Sequence, residues 1–238
     1  MPTIEKDAYF KYLENKGQSG YRAALLVKKP NDTYYSLLVA SETVPTIFGT
    51  QDSFEFDLLN SPVKGKIEGK MSLDDKEVEV LHHRDNVYRF EKLKDQTLDF
   101  LVIDSQFVGY KFVGTLSYRM NDATADVLRG TYTITPMSAD PTPILNARGL
   151  CQETLCFGSV VPDEVTAGEK ITLSVVQTNA VVTYTAFTIG NDGKEQTAAS
   201  AISSNTFTAP TAEGLYGITA SADGYAPWTT TVFVKAST

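Results

Sequence analysis

The chain has 238 residues, 42% of them hydrophobic, and a formal net charge of −8. That length and composition bury a core in one large domain or two ordinary ones without disulfide staples. Basic residues are scattered singly or in pairs such as Lys28-Lys29, which excludes a protein that grips nucleic acid through a positive groove.

An acidic wall past which nucleic acid slides stays compatible with that charge, because it repels phosphates. No apolar run reaches the length of a membrane span, and MPTIEKDAYFKYLENKG carries charges throughout. A protein made and kept in a cytoplasm, with no membrane contact, is therefore expected.

In chain order, YRAALLVKK (21–29) and TYYSLLVAS (33–41) flank the turn cluster Pro30-Asn31-Asp32 and predict a hairpin. The stretch 42–75 carries Pro45, Gly49, Pro62, Gly65 and Gly69 and apolar residues such as Ile47 and Phe48 that no period places in a core. It predicts a long functional loop, with a strand at SFEFDLL (53–59) near its middle. For a protein that assembles, it is the candidate arm, with Val44, Pro45, Ile47, Phe48, Gly49, Lys64 and Lys66 as its contact residues.

Further alternating runs at KEVEVLH (76–82), TLDFLVID (97–104), VGYKFVGTLSYR (108–119) and RGTYTITP (129–136) predict strands. One helix is predicted over 85–95, with Asp85 capping its first turn and Val87, Phe90 and Leu93 as its apolar stripe. The only two histidines, His82 and His83, sit where strand passes to helix. Strand alternation sends them to opposite faces, so they do not converge on a metal or a substrate atom. No nucleophile elbow is present either. Neither a catalytic site, a metal nor a cofactor is expected, and the chain is read as no enzyme.

Composition shifts near residue 158. Residues 159–238 hold only 3 Lys/Arg and 7 Asp/Glu and are rich in Thr, Ala, Ser and Val. Two domains follow, 1–150 and 160–238, with 151–159 as linker. Cys151 and Cys156 in that linker are expected to be free thiols, since a C-x4-C pair lacks two further zinc ligands.

After the linker, KITLSVV (170–176), VVTYTAFTIG (181–190), NTFTA (205–209), GLYGITASA (214–222) and WTTTVFVK (228–235) predict a sandwich of short strands. Tyr216, two residues before Ile218, fits a tyrosine corner. Ile218 stands where an antibody-type domain has its second cysteine, so the module resembles the disulfide-free Ig-like domains of bacteria and phages.

The fold class expected is thus mainly β: an antiparallel sandwich or barrel-like domain with one short packed helix, then an Ig-like sandwich. GKIEGKMSLDDKEVEVLHHRDNVYRFEKLKDQTLDFLVID (65–104) and GTLSYRMNDATADVLRGTYTITPMSAD (114–140) give the order turn, strand, His-Arg-Asp strand end, helix, strand, and a last strand ending in Thr-Pro. Over about 1–140 this resembles the major tail tube proteins of long-tailed, siphovirus-type phages. The resemblance implies self-association into stacked, hexameric rings that enclose a lumen, through which DNA passes without specific binding. It also implies tape-measure, tail-terminator and tail-tip proteins as partners, assembly in a host cytoplasm and a final place in the virion tail. The Ig-like module would then hang outside as a removable decoration. The alternative is an Ig-like cell-surface adhesin or carbohydrate-binding protein, which should carry a secretion signal.

Overall fold

A computed structural model of the chain describes residues 23–39, 44–45, 51–56, 65–71, 73–103, 107–122, 128–137 and 141–237. Its strands in the first half are β1 (Ala24–Lys28), β2 (Ser36–Leu37), β3 (Gln51–Phe56), β4 (Gly65–Met71), β5 (Lys76–Leu81), β6 (Leu98–Ile103), β7 (Gly109–Met120), β8 (Arg129–Pro136) and β9 (Thr142–Ile144). One helix, α1 (Arg84–Leu93), follows β5. The second half holds β10 (Glu164–Thr166), β11 (Lys170–Thr172), β12 (Thr183–Ile189), β13 (Ser200–Ile202), β14 (Thr206–Thr208), β15 (Gly214–Ser221) and β16 (Trp228–Lys235). The protein is mainly β, its sheets open and antiparallel but for the parallel pair β10–β16.

The first sheet runs β2-β1-β6-β7-β8-β5, with β9 added to the start of β7. Its central strand LDFLVI reads as a nearly unbroken apolar run because both its faces are covered. Leu98, Phe100 and Val102 share one cluster with Leu25, Val78, Val80, Tyr132, Ile134 and Leu93 of α1. Leu101 and Ile103 belong to another cluster with Leu26, Leu37 and Phe107. Helix α1 covers the first of these faces, packing Phe90 at a tilt against Tyr118 and Tyr132 with ring centroids 5.7 and 6.4 Å apart.

The strand predicted over 33–41 shrinks to two residues because its backbone divides its partners. Leu38 N–H donates to Leu25 O at 3.0 Å, but Tyr35 N–H donates to Leu150 O and Gln152 N–H to Tyr35 O. Leu37 N–H goes to the Thr154 hydroxyl at 3.0 Å.

The second sheet, β10-β16-β15-β12-β13, faces the short pair β11–β14. Ile171 and Phe207 of that pair share a core with Tyr184, Ile218, Trp228, Val232 and Val234. The tyrosine corner is present, with Tyr216 donating its hydroxyl proton to Ala212 O at 3.0 Å.

The linker expected at 151–159 is not an exposed tether. Leu155 and Cys156 are fully buried, as are Glu153 and Thr154. One side of this segment bonds to Tyr35 and Leu37 of the first sheet. On the other side, Leu155 N–H donates to Ala226 O, Ala226 N–H to Glu153 O and Gly158 N–H to Ser174 O, all of the second half. Gln177 closes the segment by donating to Glu153 Oε1 at 3.0 Å and accepting from Cys156 N–H at 3.1 Å. One continuous cluster then runs from Leu26, Leu101 and Ile103 through Ala147, Cys151 and Leu155 to Ile218 and Val232. This packing ties the second half to the first, since the segment between them is itself core.

Truncation after Ser159 should therefore leave an insoluble or molten first half, because it strips Leu155, Cys156 and Phe157 of their cover. Soluble expression with circular dichroism and near-ultraviolet signal checks it. A truncated chain with native-like near-ultraviolet bands would show that the shared core is dispensable.

Candidate functional site

The stretch His82-His83-Arg84-Asp85 lies at the joint of β5 and α1, and its four side chains part company there. His82 Nδ1 lies 2.6 Å from the Tyr118 hydroxyl and its ring stacks on Tyr118, within its own sheet. His83 caps the helix: its Nδ1 accepts from Asp85 N–H at 3.2 Å. In the neutral ring that leaves the proton on Nε2, 2.8 Å from Asp163 Oδ1 of the second half. Arg84 Nη1 donates to Asp163 O at 3.0 Å.

Asp85 is not the cap that local preference predicts. It stands in the first turn, and its carboxylate is drawn away by partners in β16. Oδ2 accepts from the Thr230 hydroxyl at 2.9 Å, and Oδ1 accepts from both Thr231 N–H and the Thr231 hydroxyl at 2.7 Å. All three groups are buried. A carboxylate kept from water needs such donors, and each charge-assisted bond is worth about 1.5–3 kcal/mol.

Around this contact α1 presents its outer side to the second sheet. Tyr88 packs on Phe187 with ring centroids 6.3 Å apart, in a small cluster with Ile189. Gly217 makes room for that ring, since a Cβ there would stand 2.4 Å from Phe187 Cζ. Arg89 stacks 4.3 Å over Trp228 and donates to Leu37 O. Lys92 pairs with Glu195 at 2.7 Å, and Tyr88 donates to the same carboxylate at 3.1 Å. The hydrogen bond from Lys92 holds Glu195 below its ordinary pKa. Burial, then the neighbouring Glu195 charge, raises Tyr88.

A cleft of about 600 Å³ opens beside this contact, lined by Lys29, Tyr34, Arg89, Lys92, Gln152 and Glu195 among others. Among the described residues, no group of His, Cys, Asp and Glu is arranged to hold a metal ion.

The expected arm is in part a hairpin. β3 and β4 pair antiparallel from Phe56↔Gly65 to Gln51↔Met71, with a register shift between Gln51 and Ser53. The glycines and prolines of 42–75 suggest an irregular loop, but the alternation already visible at SFEFDLL and repeated in GKIEGKM prevails over them. Among the described strands this hairpin pairs only with itself. Lys66 lies on β4 opposite Glu55. Val44 is half-buried against the cluster of Leu25 and Val39, and Pro45 is half-buried beside it. Ile47, Phe48, Gly49 and Lys64 lie outside the described residues.

Among the described strands the first sheet ends at β5. β5 pairs with β8 on one side and with no described strand on the other. Its two exposed acids turn away from that side. Glu77 reaches back across the sheet to Arg119 of β7 at 3.0 Å, and Glu79 to Arg129 of β8 at 3.1 Å.

The chain matches no protein-family model and no curated protein. Among solved structures it is similar to SGBP-B of the Bacteroides ovatus mixed-linkage glucan utilization locus, solved with a mixed-linkage heptasaccharide, at 11% identity and a TM-score of 0.19. The match covers 90% of this chain and 64% of that one, less than two thirds of its length. A likeness that low carries no argument about function.

Cys151 and Cys156 are free, buried thiols, and burial pushes both up to about 12. Thiolate is the reactive form. At pH 8 the folded protein should thus react only slowly with a thiol reagent, whereas denaturation should release both groups. Rapid reaction of the folded chain would mean that the segment 151–159 opens readily.

Proposed function

We propose that the chain is a structural subunit that polymerises into rings and stacks them into a tube, as in the tails of long-tailed phages. DNA would pass through the lumen without specific binding. Tape-measure, terminator and tail-tip proteins would meet the tube at its ends, in a virion tail assembled in a host cytoplasm. The second half would ride on the outside of the tube as a fixed part of the subunit.

The observation that supports this most is the pairing of an open sheet edge with an arm. A soluble monomer normally blunts a six-residue edge strand with charge, proline or cover. In β5 the two exposed acids, Glu77 and Glu79, instead reach back to β7 and β8, and among the described strands none pairs with its outer backbone, to which a second copy would add. A ring closes such edges subunit to subunit. The β3–β4 hairpin supports the stacking step, because two strands alone are marginal in water and gain stability when another surface covers them.

Negative-stain microscopy of the purified full chain over a range of concentrations tests the proposal, with rings or tubes as the expected result. Deletion of residues 46–50, which spares Val44 in the core and Gln51 of β3, should leave a folded subunit that does not grow tubes. Lys64, Lys66 and Lys70 should be cut by trypsin in free subunits and protected in tubes. Monomers at every concentration, even with a tail-tip nucleus, would overturn the tube.

A further inference from the structure

The contact between α1 and the second half does more than hold two sandwiches together, because α1 is also the continuation of the open edge strand. Only His82 and His83 separate β5 from the helix. The corner is tied from both directions. Asn86 of the first turn donates through Nδ2 to Leu81 O, the last residue of β5, at 2.8 Å. Tyr132 of β8 donates its hydroxyl proton to Asn86 O at 2.6 Å. His82 N–H donates to Leu128 O at the start of the β7–β8 side.

A displacement of the helix start is thus passed to the end of β5. What fixes the helix start is the second half: Asp85 is gripped by Thr230 and Thr231 of β16, and His83 and Arg84 by Asp163 at the head of β10. Phe233 N–H of β16 donates to that same Asp163 carbonyl, so both grips come from one rigid strand pair.

We propose that Asp85 is a positioning residue through which the second half sets the end of β5. In its functional consequence this rests on the assembly proposed above, in which β5 meets a neighbouring copy. A strand end that wanders must be ordered on contact, which costs affinity, whereas a strand end held in place is prepared for it. The second half is then a brace for assembly and not a decoration, although it contributes no residue to the edge.

The test uses the full chain with Thr231→Val, which keeps shape and the backbone donor but removes one hydroxyl, with Thr231→Ser to restore it, and with Asp85→Ala as the severe form. Hydrogen exchange is read in the free subunit at the amides of His82, Asn86, Val87 and β5, with those of β1 and β6 as internal reference. Local opening should become about tenfold to a hundredfold more frequent at the former set in Thr231→Val. It should return to the native rate in Thr231→Ser and leave the reference set unmoved. The concentration at which tubes appear should rise in Thr231→Val and fall back in Thr231→Ser.

Unchanged exchange at the β5–α1 corner in Thr231→Val overturns the proposal. So does faster exchange with an unchanged assembly threshold. If the native chain never forms tubes, the assembly proposal fails by itself, and corner exchange still decides whether the second half sets β5. Failure of Asp85→Ala to fold leaves the decision with the valine and serine variants.

Discussion

The arrangement depends on one buried carboxylate. Asp85 lies at the start of the only described α-helix, yet all three of its donors belong to a strand 145 residues further along the chain. Such a group cannot be left half-satisfied, because a buried charge without donors costs far more than the bonds gain. The contact is therefore selective in a way that apolar packing is not: it accepts one register of α1 on β16. Tyr88 on Phe187 and Arg89 on Trp228 then supply area around it, and Gly217 supplies the space. The buried segment 151–159 joins the same two bodies through backbone bonds and a shared core. Arg89 links the two joints, since it stacks on Trp228 and donates to Leu37 O, whose own N–H is bonded to Thr154.

That geometry changes what the open elements mean. In a chain whose halves swing freely, an exposed edge and a self-paired hairpin would be hazards. Here the edge belongs to a body whose two halves are packed together, and it is continuous with the helix that the second half grips. A fixed body with an open edge is what repeated association requires, since each added copy presents the next with the same surface. The acids of β5 agree with this, being spent on Arg119 and Arg129 within the sheet.

Strand alternation made much of the fold legible. β16 spans Trp228–Lys235 as its pattern indicates, and the tyrosine corner appears where Tyr216 places it. The three-residue strands β10 and β13 escaped notice because EVT and SAI are too short and too polar to show a period. Asp85 was misplaced because capping preference is local, whereas its partners are remote in sequence and no pattern announces them. His83, a poorer cap by preference, takes the position because its ring is already oriented by Asp163. The signal missed in the linker was CQETLCF itself, where Cys151, Leu155, Cys156 and Phe157 form an apolar set that a solvent-exposed tether would not carry.

The two halves form one body joined at Asp85 and at residues 151–159. Scanning calorimetry of the full chain under reversible conditions, at concentrations where no assembly occurs, tests it most directly. One transition is predicted, with calorimetric and van't Hoff enthalpies equal within error. Two resolved transitions, or a calorimetric enthalpy well above the van't Hoff value, would show that the halves unfold independently and would contradict the account.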